Sequence, residues 1–256
     1  MLLCIDAGNT QTVLGLFDGP ELADHWRIAT VAERTADELA LIVRQLLGFH
    51  PDALQAGTGV SGVAVSSGVP RVTTELRTFC ERYFGFPALV LEPGVRTGMP
   101  IVYDNPKEVG ADRIANAVAA YDLYGGPSIV VDFGTANTIE AISESGEYLG
   151  GAIFPGIEIS MDALFGRAAA LRRVELVAPR NVIGKSTVES IQSGALYGFS
   201  GQVDALVDRF QAELGACTVV ATGGLAEPIL PHSRTIQHYE PWLTLQGLRI
   251  IFERNS

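Results

Sequence analysis

Lysine is nearly absent from this chain: only Lys107 and Lys185 occur among 256 residues. Lys and Arg together number 18 against 29 Asp and Glu, a formal net charge of −11. Such a balance lacks the basic footprint that nucleic acids and anionic membrane surfaces require, so neither is expected as a partner. Any phosphate ligand must then be held chiefly by backbone N–H groups, a helix N-terminus or a metal ion. Cysteine is scarce too. Cys4, Cys80 and Cys217 are odd in number, far apart and without a neighbouring His, which excludes a disulfide framework or a zinc site and leaves three buried thiols as the expectation. His25, His50, His232 and His238 show no ligand spacing. The longest uncharged stretch, residues 53–70, is broken by four glycines, three serines and a proline, so no membrane span is expected. The first residues reach Asp6 without a basic segment or an apolar run, unlike a secretory leader, and the expected location is the cytoplasm.

What is plentiful is apolar residue: 47% of the chain, with a mean hydropathy of +0.24. That is ample for a sizeable core. The most informative pattern is internal. Asp6-Ala7-Gly8-Asn9-Thr10-Gln11-Thr12 and Asp132-Phe133-Gly134-Thr135-Ala136-Asn137-Thr138 both read D-x-G-x-x-x-T, 132 − 6 = 126 positions apart, about half the chain. Each follows an apolar run and precedes another, the signature of a β-hairpin with a polar tip. A half-length repeat predicts two like-folded domains, 1–124 and 125–256, with both tips directed into one cleft. Chemically, Gly8 lets backbone N–H groups approach phosphate oxygens, Asn9, Thr10 and Thr12 add neutral donors, and Asp6 can hold a hydrated Mg²⁺.

Strands are predicted at 2–6, 12–17, 23–28, 62–66 and 88–91, with helices at Ala36–Leu47, 72–84 and 111–123. The second half repeats this order, with strands at 128–132, 138–142, 148–154 and 218–222 and helices at 157–170, 188–210 and 243–254. Thr35 with Glu38, and Ser186 with Glu189, have capping-box spacing. Mixed sheets flanked by helices, duplicated, give an α/β fold. Two decoys fail on context. The G-x-G-x-x-G run at 57–62 leads into a strand instead of opening a helix, and Gly184-Lys185-Ser186 lacks the leading glycine and strand of a P-loop. Just before the helix at 111, Gly110 frees the chain to approach a ligand. Asp112 and Arg113 then fall in the first turn, where the helix dipole favours a carboxylate or an anion.

The chain closely resembles type III pantothenate kinases, of the superfamily that holds acetate and sugar kinases, heat-shock chaperones and actin. The resemblance rests on four segments in order: residues 6–13, the run Pro106 to Arg113, residues 132–138, and Gly184-Lys185-Ser186-Thr187-Val188-Glu189. It implies two ribonuclease H-like, actin-like ATPase domains, Mg-ATP as phosphoryl donor, pantothenate as acceptor, a monovalent cation such as K⁺ or NH₄⁺, and a homodimer. The product would be 4′-phosphopantothenate, the first step towards coenzyme A. Carried over by residue, Asp6, Ala7, Gly8, Asn9, Thr10, Gln11, Thr12 and Val13 would form the ATP-phosphate loop, with Thr135 a further ATP contact. Asp6 would bind Mg²⁺ through water and Asp132 the monovalent cation. Tyr103, Gly110, Ala111, Asp112, Arg113 and Thr187 would line the pantothenate pocket, with Asp112 accepting the proton of the primary hydroxyl. Ala7 and Gln11 depart from the family's frequent Ile and Asn.

Overall fold

A computed structural model describes residues 1–55, 57, 59–168 and 171–256, which divide into two compact units. The first comprises Met1–Met99, Asp104–Ala119 and Leu243–Ser256. Its sheet starts as a meander of β1 (Leu2–Ala7), β2 (Gln11–Asp18) and β3 (Glu21–Ala29), then adds β4 (Gly62–Ser67) and β5 (Leu89–Val90) in parallel, giving the order β3-β2-β1-β4-β5. One face buries Leu3, Ile5, Leu14, Leu16, Val63 and Val65 with residues of α1 (Ala36–Leu47) and α2 (Pro70–Phe79). Each such side chain contributes about 1.5–3 kcal/mol on leaving water. The Thr35–Glu38 capping box forms in full: Thr35 Oγ1 accepts the Glu38 N–H, and Glu38 accepts the Thr35 N–H at 2.8 Å.

The opposite face is covered by α6 (Leu243–Glu253). Glycines at Gly15 and Gly62 make that close packing feasible, since a Cβ there would lie 2.7 Å from Leu245 Cδ1 and 2.4 Å from Phe252 Cζ. This return of the C-terminal helix to the first sheet is where the structure departs from a single division at residue 124. An amphipathic pattern tells that a helix is half-buried but not which sheet it covers. The helix α3 (Ala111–Tyr124) is likewise divided, its residues to Ala119 belonging to the first unit.

The second unit comprises Pro100–Tyr103 and Ala120–Trp242. It repeats the arrangement with β6 (Ser128–Phe133), β7 (Ala136–Ile142), β8 (Tyr148–Pro155), β9 (Thr218–Thr222) and β10 (His238–Tyr239), ordered β10-β9-β6-β7-β8. In each sheet the first strand is central, the second and third follow it antiparallel, and the fourth and fifth add in parallel. The duplication is therefore one of topology as well as sequence. Ile129, Val131, Phe133, Ile139, Val219 and Ala221 form the second core with Ile157 of α4 (Ile157–Arg167) and Leu196, Phe199, Val203 and Val207 of α5 (Thr187–Leu214).

Three helices differ from expectation, α5 running four residues past the expected end at 210, to Leu214. The segment 72–84 is α2 followed by a π-helical turn, Cys80–Phe84, closed by the Gly85 N–H on the Cys80 carbonyl, with Gly85 at φ +79° ending it. The helix expected over 157–170 ends at Arg167, and Ala169 and Ala170 lie outside the described residues. Thr58, within the G-x-G-x-x-G run, also lies outside them, and Gly62 at its end opens β4. Among the described residues no helix is long and apolar enough to cross a membrane.

Candidate functional site

In the first unit, the hairpin tip is a tight turn closed by the Gly8 N–H on the Gln11 carbonyl at 3.0 Å. Gly8 thus contributes the turn itself, and the exposed Asn9, Thr10 and Gln11 present the polar groups of the tip. Thr12 is buried with its hydroxyl 2.8 Å from that of Thr30, and the Thr30 N–H donates to the Thr10 carbonyl at 3.0 Å. These bonds brace the tip against the end of β3. Thr12 is a strut of the loop, a role its spacing did not distinguish from ligand contact. Ala7 is fully buried and Val13 half-buried, both held in the ladder, Ala7 opposite Thr12 and Val13 opposite Asp6.

Asp6 stands at the C-terminal end of β1, beside Ser66 at the end of parallel β4. Side chains alternate along a strand, so Asp6 shares the face of Cys4. That face is the α6 side, because Arg249 and Glu253 of α6 act electrostatically on the Cys4 thiol. The same side carries the start of α3: a Cβ on Gly247 of α6 would lie 2.0 Å from the Ala115 carbonyl oxygen, and Thr244 Oγ1 donates to Asn116 Oδ1 at 2.7 Å. Asp6, at the C-terminal edge of parallel strands where open α/β sheets bind ligands, and α3 therefore lie on one side of one sheet.

The entry to α3 is built by a 3-10 turn, Pro106–Glu108. Asn105 initiates it, its side chain accepting the Lys107 N–H at 3.3 Å and donating to Glu108 at 2.7 Å. Asp112 is exposed in the first helical turn, with Oδ1 accepting the Arg113 N–H at 2.8 Å. A Cβ on Gly110 would lie 2.5 Å from that oxygen. Gly110 thus gives the Asp112 carboxylate its room, and Ala111 beside it is half-buried. Arg113 is buried at 8% exposure, which separates it from its neighbour: one faces solvent and the other is packed inside.

In the second unit, Thr135 is exposed at the β6–β7 tip, where its carbonyl accepts the Gly156 N–H at 3.0 Å. Asp132 pairs in register with Thr138 on β7 and Thr222 on β9. The turn after β9 closes on it: Gly223 has φ +94°, and a Cβ there would lie 2.5 Å from Asp132 Oδ1 and 2.5 Å from the Phe133 carbonyl oxygen. The buried hydroxyl of Thr138, directly across from Asp132, has no hydrogen-bond partner among the described residues. Tyr103 is 36% exposed, its ring 6.3 Å from that of Tyr148.

Thr187 stands apart at the exposed first turn of α5. Ser186 caps that helix by accepting the Glu189 N–H at 3.2 Å. The return bond expected of a capping box goes elsewhere, because Glu189 accepts the Lys185 N–H at 3.1 Å and Arg180 Nε at 2.6 Å. The Arg180 hydrogen bond, then that of Lys185, holds the Glu189 carboxyl below its ordinary range. The segment 180–187 is so tethered to α5, with Val182 and Ile183 at 63% and 81% exposure and Val188 at 48%. A cavity of about 720 Å³ between α1, the π-helical turn and residues 53–61 is lined by groups such as Val43, Leu47 and Phe79 and by none of the residues above.

The description "Type III pantothenate kinase" matches residues 2–209. The chain belongs to the type III pantothenate kinase family. A member from Streptomyces griseus is 59% identical over the whole of this chain and 98% of its own, and one from Moorella thermoacetica is 56% identical over the whole of both. This pantothenate kinase is thus a phosphotransferase that phosphorylates pantothenate with ATP in coenzyme A biosynthesis. Its fold is shared with component A of (R)-2-hydroxyglutaryl-CoA dehydratase from Acidaminococcus fermentans (TM-score 0.60, 14% identity, 100% of this chain and 99% of that one). It is shared also with an inorganic polyphosphate/ATP-glucomannokinase from Arthrobacter (TM-score 0.54, 19% identity, 100% and 99%). The duplicated mixed-sheet α/β fold described above is thereby one that these two proteins share.

Proposed function

We infer that the kinase transfers the γ-phosphoryl group of ATP to the primary hydroxyl of pantothenate, with Asp112 as the base. The observation that carries this reading is the Asp112 carboxylate: exposed, set in the first turn of α3, with Oδ1 held by the Arg113 N–H and Gly110 shaped around it. Oδ2 is then the oxygen that accepts the hydroxyl proton as the oxygen–phosphorus bond forms and ADP departs. Phosphoryl transfer demands positioning and charge neutralisation above all, and a carboxylate acceptor for the proton completes the set. Tyr103, Ala111, Arg113 and Thr187 contact pantothenate, Arg113 pairing with its carboxylate or with the moving phosphoryl group.

The phosphates of ATP lie against the tip at Gly8, Asn9, Thr10 and Gln11, braced by Thr12, with Thr135 a further contact. With few lysines present, the tip's neutral donors supply this binding. Asp6 would hold Mg²⁺ through water, where the ion would neutralise charge on the phosphates. Asp132 fits a monovalent cation such as K⁺ or NH₄⁺, since the unpartnered Thr138 oxygen across from it supplies a second hard ligand. These ions supply charge neutralisation for the phosphates. The working form is a cytoplasmic homodimer, with exposed Val182, Ile183 and Val188 beside Thr187 as the surface to be covered.

The test is ADP release by purified protein with Mg-ATP, with and without pantothenate, in K⁺ and then Na⁺ buffer. Pantothenate-dependent release favoured by K⁺ is expected. Release indifferent to the cation would remove the Asp132 site, and release independent of pantothenate would remove the acceptor assignment.

A further inference from the structure

Buried acidic side chains are rare unless hydrogen-bonded, and Glu140 is the fully buried one that the phosphoryl transfer does not use. It sits on β7 between Val130 and Gly151 in register. Its Oε2 accepts a hydrogen bond from the hydroxyl of Tyr148, itself fully buried. Tyr148 opens β8, the edge strand of its sheet, and its backbone grips a second segment: Val102 N–H donates to the Tyr148 carbonyl at 2.8 Å, and the Tyr148 N–H donates to the Pro100 carbonyl at 2.9 Å. A parallel bridge between Ile101 and Tyr148 completes this strap. The strap's last residue is Tyr103, whose ring stands against that of Tyr148.

Two adjacent glycines clear both ends of this chain of contacts. A Cβ on Gly151 would fall 2.8 Å from Glu140 Oε2 and 2.0 Å from the Ile139 carbonyl oxygen. Gly150, at φ +127°, a conformation L side chains rarely adopt, lies beside the Tyr103 ring, which a Cβ there would meet in ordinary contact at 3.4 Å. Backbone, ring and hydroxyl of a single residue therefore join a carboxylate in the sheet interior to a half-exposed aromatic side chain at its edge. We propose that Glu140 and Tyr148 are positioning residues for pantothenate: the carboxylate fixes the Tyr148 hydroxyl, and Tyr148 fixes the strap that presents Tyr103 to the substrate. This rests on the reading of Tyr103 as a pantothenate contact.

Three variants separate the two ideas: Tyr148→Phe, Glu140→Gln and Tyr103→Ala, each assayed for pantothenate KM, ATP KM and Tm. Tyr148→Phe is expected to raise the pantothenate KM about tenfold or more, since a displacement of about 1 Å in a positioning group has effects of that size. Its ATP KM should stay within about twofold, because the strap's backbone bonds run to Tyr148 of its own sheet. Glu140→Gln retains an acceptor oxygen and should keep the pantothenate KM within about threefold of wild type. Should Tyr148→Phe alone not fold, the double variant Tyr148→Phe/Glu140→Gln lessens the buried charge and carries the same expectation. A raised KM in Tyr103→Ala with an unchanged one in folded Tyr148→Phe overturns the positioning role alone. Equal rises in both KM values overturn it in favour of a merely structural role. An unchanged pantothenate KM in Tyr103→Ala overturns the reading of Tyr103, and the positioning role falls with it.

Discussion

Replacing Gly223 by Ala tests whether the turn after β9 is built around Asp132. Two effects act together. At φ +94° an alanine enters a backbone region that disfavours L side chains by about 1–2 kcal/mol. Its Cβ would also stand 2.5–2.6 Å from Asp132 Oδ1 and from the oxygen and nitrogen of Phe133. That is about 1 Å inside ordinary contact, and two of the three obstructing atoms are backbone of a central strand, so relief requires the strand end or the turn to move. Overpacking of this kind costs about 1–3 kcal/mol, so the total is about 2–5 kcal/mol. At roughly 2–4 °C per kcal/mol for a domain of this size, Tm should fall by about 4–20 °C in a thermal melt. A control of opposite sign is Gly201→Ala, on the exposed face of α5 with nothing near its Cβ, which should gain about 0.5–1 kcal/mol from helix propensity. The assay also has a functional arm, because any shift of Asp132 should weaken the activation by K⁺ more than it changes the ATP KM. A Gly223→Ala protein that melts with wild type would refute the packing argument, and one that is destabilised as expected yet keeps its cation response would refute the assignment of Asp132.

Asp112→Asn should lower kcat by about 10² or more with Tm unchanged, since the side chain is exposed and only its proton-accepting ability is lost; near-normal kcat removes the base. Asp204 supplies a pH test. Burial pushes its carboxyl up, but bonds from the Ser233 and Thr235 hydroxyls and from the Arg234 and Thr235 N–H groups outweigh this, leaving it below the ordinary 3.8. A folded-state value below the unfolded one means stabilisation present above about pH 4 and lost as pH falls through the folded value. The Tm difference between wild type and Asp204→Asn should therefore be widest near neutrality and narrow as pH falls below about 4, and a constant difference would refute it. Burial pushes the Cys80 thiol up to about 12 and the Cys4 thiol also upward, so a thiol reagent at neutral pH should label the half-buried Cys217 first, with Cys4 and Cys80 following only on unfolding.

The strands and helices that carry the site were legible because each has a periodic apolar face and a chemical stop. Residues 6–12 and 132–138 each combine an apolar run, a carboxylate and a Gly-containing turn, and those features are local. The start of α3 was legible for the same reason, from Asn105-Pro106 and Gly110 within a few residues of Asp112. What escaped is everything set by contacts distant in sequence. That Thr12 braces the loop shows only once Thr30 is found beside its hydroxyl. The burial of Glu140 shows only once Tyr148 is found bonded to it. The C-terminal helix has a clear apolar stripe, but only the glycines at 15 and 62 reveal which sheet it lies on.

The glycines carry the most instructive difference. In sequence, Gly110 suggests a backbone approaching a ligand, the usual meaning of glycine beside a phosphate site. In the structure, it makes room for a carboxylate of the protein itself, Asp112, as Gly223 does for Asp132 and Gly151 for Glu140. A carboxylate pressed against backbone is confined to few rotamers, so the glycine fixes the acid before any substrate arrives. Confinement of this kind supports phosphoryl transfer directly, because a base or ion ligand already in place loses no rotamer entropy when the reaction begins. It follows that alanine at these three positions should harm function through the position of the neighbouring acid, so the damage should track the acid's own role: turnover at 110, cation response at 223, and pantothenate KM at 151.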